Sequence, residues 1–198
     1  MKNQASVAVV YHSVTGTTAQ LAEAALLGAS GVEGIRAYPV QIEGRDIHEG
    51  RYRNSVALEA MGEADALIFG SPTFMGCVSG QFKAFADATS DIWFQRRWRG
   101  KLAAGITVGN NPSGDQLNTI QYLSILANQH GMLWVGIDLP GGFDPAGRNR
   151  MGAQSGLIAH APGGELNPAD TATASYLGAR VAHLALRFTT VTMDLVDA

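Results

Sequence analysis

Cysteine is nearly absent: Cys77 stands alone in 198 residues. One thiol excludes an intramolecular disulfide and a multi-cysteine zinc cluster, and it suits a reducing cytoplasm. Charge is sparse as well, at 16% of residues, with fourteen basic against seventeen acidic side chains and a net of −3. No cationic field is available to draw nucleic acid, and no acidic tail points to disorder. No apolar run approaches the roughly 18 residues that a membrane span needs. Near the amino terminus, Lys2 precedes a short apolar run that His12 and Ser13 end at once, which reads as a first strand and not as a signal peptide. The composition that is left, 46% apolar, is that of one soluble domain, expected in the cytoplasm. A chain of this length buries about 70% of the surface it exposes unfolded, so it needs no staples.

Glycine is abundant, with 24 residues clustered between apolar runs without a period. That excludes collagen and solenoids and marks the turns between strands and helices. Ser6–Tyr11 is a β-branched run without alternation, as a strand covered on both faces requires. Thr17–Gly31 has Leu21, Ala25, Leu26 and Ala29 at helical spacing. The remaining strands are expected at Ile35–Ile42, Asp65–Gly70, Leu102–Val108 and Met132–Ile137. Helices are expected over Ser55–Gly62, from Ser79 with Phe82, Phe85 and Ala86 inward, and over Asp115–His130 with Leu117, Ile120, Leu123 and Ala127 inward. Glu43–Asn54 reads as a polar loop. A last helix carries Leu177, Val181, Leu184 and Phe188 on one stripe. Alternating strands and helices imply right-handed crossovers and a parallel α/β sandwich in a single domain. Pro140–Pro168 is too long to be an idle connection and is expected to be a lid or an interface.

In such a sheet a ligand lies beyond the carboxyl ends of the strands, where their order reverses. The loops leaving the first, third and fourth strands are rich in hydroxyls, glycine and asparagine and poor in charge. The first, Ser13, Val14, Thr15, Gly16, Thr17 and Thr18, places four hydroxyl side chains at a helix N-terminus. Free N–H groups and the positive helix end make an anion site there. With no lysine or arginine in that loop, and neither the Gly-Lys loop of nucleoside triphosphatases nor G-x-G-x-x-G, a terminal monophosphate held by neutral donors fits best. The other reading of the same residues is a threonine-rich cap that binds nothing.

Val9–Thr18 followed by Ala22 resembles the FMN-phosphate signature of flavodoxins, with Ala25 where an aliphatic is usual. Gly70–Asp87 is similar to the corresponding stretch of the WrbA group of NAD(P)H:quinone oxidoreductases, in its Pro-Thr pair, Ser-Gly-Gln and spaced phenylalanines. Trp93, Gly100-Lys101-Leu102, Gln129–Met132 and Gly156–His160 extend the likeness, which runs from Val7 to Leu186. The resemblance implies a flavodoxin-like three-layer α/β/α sandwich with a five-stranded parallel sheet of order 2-1-3-4-5, and FMN held non-covalently. Ser13–Thr18 would hold its phosphate. Pro72, Thr73, Phe74, Met75 and Gly76 would run along the ring. Val108, Gly109, Asn110, Asn111, Ser113 and Gly114 would close over the other edge, although members of the family often have Thr-Gly and a glycine run there. NAD(P)H would be the co-substrate and a quinone the acceptor, in a homodimer or homotetramer. A one-electron carrier of the flavodoxin kind, and a flavin-binding protein without quinone reductase activity, stand as alternatives; NADH and NADPH are not distinguished.

On the substrate side the resemblance points to Trp93, Gln129 and His130, Gln129 replacing the first of two adjacent histidines usual in the family. From its position alone, His130 is more often a partner of the helix dipole or a packing residue. The chemistry would belong to the flavin, so no catalytic acid or base is assigned. His48, His160 and His183 are too dispersed for a zinc site, and none is expected. The basic stretch Arg96–Lys101 reads as a solvated turn or a subunit contact, not as a nucleic-acid site.

Overall fold

Ala8, Val9 and Val10 offer no polar face, and in the computed structural model, which describes residues 4–189, they lie fully buried in the middle of a sheet. This strand is β1 (Ala5–Tyr11), and α1 (Thr17–Ser30) returns the chain to β2 (Ile35–Gln41), parallel to β1 at one edge. Pro39 is tolerated because an edge strand needs its N–H groups on one side only. The stretch expected to be a loop contains a short turn at Gly44–Asp46 and a two-residue hairpin, β3 (Ile47–His48) and β4 (Arg51–Tyr52). Tyr52 drives this, burying its ring edge-on against Phe85 at 5.6 Å. α2 (Ser55–Glu63) follows, capped by Asn54, whose side chain accepts from the Ala57 N–H.

β5 (Ala66–Phe74) lies on the other side of β1 and runs four residues past the expected end at Gly70. Its pairing with β1 ends at Tyr11–Gly70, while pairing with β7 (Leu102–Gly109) continues to Pro72–Val108. Pro72 therefore lacks a donor only where no neighbour would have used it. β6 (Cys77–Val78) folds back on the end of β5. α3 (Gly80–Ala88), capped as expected by Ser79, and α4 (Ser90–Phe94) lead back toward β7. α5 (Gln116–Gln129) connects β7 to the last position of the sheet.

That last position differs from the expectation. It is shared by β8 (Leu133–Trp134), paired with the start of β7, and β9 (Leu157–His160), paired with its end. Residues 135–156 are thus an insert within one strand position, and the stretch read as a long connection contains the returning half of that strand. The two halves meet where the Trp134 indole N–H donates to Ser155 O at 2.7 Å and the Ile137 N–H donates to Gln154 O at 2.8 Å. A Cβ on Gly136 would stand 2.4 Å from Gln154 O, so glycine permits this approach. After a turn at Pro162–Gly164, α6 (Pro168–Thr189) closes the fold. Counted by sheet position the order is 2-1-3-4-5, all parallel, as the flavodoxin-like reading expected.

One face packs α1 and α6 on the sheet through Leu21, Ala25, Leu177 and Val181. The other packs α3 and α5 through Phe82, Phe85, Ile120 and Leu123, over a fully buried Trp98. Leu117 was expected inward but is 50% exposed, because Gln116 fills the inward slot of the first turn of α5. Phe188, near the end of α6, is also partly exposed. Among the described residues no helix is long and apolar enough to cross a membrane.

Candidate functional site

The loop from β1 to α1 turns on Gly16, whose φ of 90° lies in the left-handed region that glycine adopts without strain. No side chain caps the helix at Gly16. The Ala19 N–H donates to Ser13 Oγ at 3.2 Å, and the Gln20 N–H is the first to find an intrahelical acceptor, Gly16 O. The N–H groups of Thr17 and Thr18 are left without an intrahelical acceptor at the positive end of α1, as an anion requires. Thr17 and Thr18 are buried, while Val14 and Thr15 are exposed at the rim.

His12 sits beneath this loop, almost fully buried, with Nδ1 2.8 Å from Ser79 Oγ. Ser79 caps α3, and its N–H donates to Ser71 Oγ at 3.0 Å, so one short network ties the first loop to the end of β5. Burial lowers the pKa of His12, and it adds no charge to the loop at neutral pH. A second network fixes β5 against β7. Thr107 Oγ1 donates to Ser71 O, so it accepts from Thr73, which in turn accepts from Thr119, each hydroxyl pair 2.8 Å apart.

These loops enclose a cavity of about 390 Å3. Val14, Thr15, Thr17 and Thr18 line one end, Pro72, Thr73 and Phe74 a second wall, and Val108, Gly109 and Asn110 a third. None of the lining side chains carries a formal charge. Ser13 and Gly16 shape the loop without lining the cavity. Met75 and Gly76, at φ 49° and 78°, form the turn into β6, with Met75 fully exposed beside the rim. Asn111, Ser113 and Gly114 do not join the cavity either. Asn111 O accepts from the buried Gln116 amide, and Ser113 lines a separate recess with Pro112 and Met151. A fourth wall was missed in the sequence: Ala161, Gly163 and Gly164, delivered by β9. Its signal was the Gly-Gly pair after Pro162, which reads equally well as an ordinary turn.

Trp93, Gln129 and His130 are not brought to this cavity. α3 and α5 run antiparallel to the strands, so residues at their far ends lie at the amino ends of the sheet, the whole length of β7 away. There the three line a different recess with Phe94, Arg96 and Leu133. His130 is 5% exposed, packed on Trp98 with ring centroids 4.4 Å apart. Thr89 Oγ1 donates to Ala86 O, so its 2.8 Å contact with His130 is a hydrogen bond donated by Nε2–H. Burial depresses the pKa of His130 to about 4, so it is neutral and in this chain has the geometry of a packing histidine. The basic stretch before β7 is likewise anchored inward: Trp98 is core, and Lys101 Nζ donates to Gly62 O and Ala64 O. Among the described residues no group of three or more His, Cys, Asp or Glu is placed to hold a metal ion.

The family model described as NADPH-dependent FMN reductase matches residues 7–139. A protein named flavodoxin FldP from Pseudomonas aeruginosa is 35% identical, over 89% of this chain and 94% of its own length. An NAD(P)H dehydrogenase (quinone) from Archaeoglobus fulgidus is 32% identical, over 91% of this chain and 97% of its own. The crystal structure of a flavodoxin, WrbA-like protein from Agrobacterium tumefaciens superposes with a TM-score of 0.74 at 38% identity, covering 93% of this chain and 99% of that one. With a family model over most of its length and relatives of this similarity over nearly all of it, the chain belongs to the NADPH-dependent FMN reductase family and is a flavodoxin-like, WrbA-type protein.

Proposed function

We propose that the chain binds FMN in the 390 Å3 cavity and passes two electrons from NAD(P)H to a quinone. The observation that carries this reading is an uncharged cleft with the open N-terminus of α1 at one end. Several N–H donors to a charged oxygen outweigh the helix dipole, at about 1.5–3 kcal/mol each against about 0.3–1 kcal/mol. Pro72–Phe74 and Val108–Asn110 offer main-chain groups and apolar walls suited to an uncharged ring. Bound FMN supplies the hydride chemistry. The protein positions it and excludes charge; neither His12 nor His130 is protonated at neutral pH, so neither is given an acid role. The relatives named NAD(P)H dehydrogenase (quinone) support the acceptor class. A single half-buried thiol, Cys77, suits a cytoplasmic setting.

The test is to mix FMN-loaded protein with NADPH or NADH and benzoquinone. Multiple-turnover oxidation of the nicotinamide with ping-pong kinetics is expected. The second reading, a one-electron carrier, is favoured by the relative named flavodoxin and by Phe74 and Met75 exposed beside the cleft. No turnover, with a one-electron-reduced flavin accumulating on dithionite titration, would select it. A protein that binds no FMN by calorimetry would sink both.

The reading includes self-association as a homodimer or homotetramer. It is supported by Trp93, Phe94 and Leu133, which stand exposed together at the pole opposite the cleft. Lying at that pole, Trp93, Gln129 and His130 would reach a substrate bound in the cleft only as residues of a second copy.

A further inference from the structure

The fourth wall of the cavity has its own support system, built from residues that no motif singles out. Ala161–Gly164 leaves β9 and crosses the phosphate end of the cleft before α6 begins. Gly164 lies over the loop from β1: a Cβ built on it would be 3.6 Å from Thr17 Oγ1. Gly163 and Gly164 have φ of 65° and 88°, so the segment takes a path that other residues would strain. A side-chain cross-link holds it to the opposite wall, the Gly163 N–H donating to Asn110 Oδ1 at 3.0 Å. That bond occupies one acceptor site of the Asn110 side-chain carbonyl.

The base of the segment is also fixed. The Ala161 N–H donates to Gly109 O at 3.0 Å, continuing the pairing of β9 with β7. Arg150, arriving from the insert, donates to both oxygens of the buried Asp170 at 2.8 and 2.6 Å and to His160 O at 3.0 Å. Asp170 also accepts from the His160 N–H at 3.3 Å. The far end is held by Asn167, whose Oδ1 accepts from the Ala169 N–H at the start of α6.

We propose that Ala161–Gly164 is a strap that retains the phosphate end of the cofactor, with Asn110 as its clasp and Arg150 as the positioning residue at its base. This inference rests on the FMN reading. It also assigns the insert a role: residues 135–156 interrupt the last strand position and deliver Arg150 to the strap.

The test compares FMN with riboflavin, which lacks the phosphate, as probes of the purified apoprotein by flavin fluorescence quenching. For Asn110→Ala, FMN affinity should fall about tenfold, as for one lost hydrogen bond, and riboflavin affinity several-fold less. The urea midpoint of the apoprotein should not move. Arg150→Gln, which changes nothing that lines the cavity, should produce the same selective loss; if that variant fails to fold, Asn110→Ala decides. Equal weakening of both flavins would mean that Asn110 touches the ring, and unchanged FMN affinity would mean that the strap retains nothing; either overturns the proposal. Wild-type protein that binds neither flavin would instead overturn the FMN reading beneath it.

Discussion

Gly16 is required for its backbone and not for space. A Cβ there would meet nothing within 4 Å, yet φ is 90°, where a β-branched residue is strained by about 1–3 kcal/mol. Gly16→Val either keeps that strain or turns the loop, and turning it aims the first-turn N–H groups away from the anion. FMN should then be lost on gel filtration, with Gly16→Ala intermediate; a yellow, tight-binding Gly16→Val would place the phosphate elsewhere. His130 makes a prediction in pH. Its folded pKa of about 4 lies below the unfolded value of 6.5, so the unfolded chain binds the proton first. Its contribution is complete above pH 6.5, lost as pH falls toward 4, and on the order of 3 kcal/mol. Urea midpoints measured from pH 7 to pH 4 should fall steeply for wild type and less for His130→Gln. A smaller slope should persist in the variant, because burial depresses His12 in the same direction.

Two helices and a split strand decide how the elements fit. α1 and α6 cross at Gly28 and Gly178, where a Cβ would stand 1.9 Å from Ser175 O and from Ala25 O respectively. Both obstacles are backbone, so relief requires the helices to separate across the core that holds Leu21 and Leu177. Gly28→Ala should destabilise by about 3 kcal/mol or more despite its better helix propensity, read as a fall in the urea midpoint. A variant as stable as wild type would show that this crossing yields. These elements also set how far the sequence could be read. The β1–α1 loop was legible because its turn, hydroxyls and helix start are consecutive, and the buried strands because they lack a polar face. Leu117 misled because its neighbour Gln116 turns inward to donate to Asn111 O and Ala159 O, tertiary bonds that no helical stripe reveals. The divided last strand was hidden for a similar reason: β8 and β9 are joined only by their common partner β7 and by contacts such as Trp134 to Ser155. The strap lies within Pro140–Pro168, the stretch expected to be a lid or an interface, but which of its residues reach the cleft depends on that division and could not be read.

On the scale of the molecule the two poles of the sheet differ in chemistry. The carboxyl pole holds a cleft without formal charge, and the amino pole presents Trp93 at 50%, Phe94 at 80% and Leu133 at 40% exposure among Arg96 and Arg99. Scattered exposed apolar residues need no explanation, but aromatics grouped with arginine over a recess of about 650 Å3 have the composition of a protein interface. Trp98 packs fully buried against His130 at the base of this recess, so the patch stands on the core. A net charge of −3 adds little repulsion between copies. Light scattering of the purified protein should therefore give at least twice the chain mass of 20.8 kDa. Phe94→Asp should return the monomer mass, because a carboxylate buried there without a partner is unfavourable by several kcal/mol. FMN affinity, set at the other pole, should remain within twofold of wild type. Wild type that stays monomeric at the highest soluble concentration would refute the interface, and Phe94→Asp that stays oligomeric would move it to another face. Loss of FMN with the monomer mass would mean that the two poles are coupled through neighbouring subunits, and quinone turnover would then have to be assigned to the assembly rather than to the single chain.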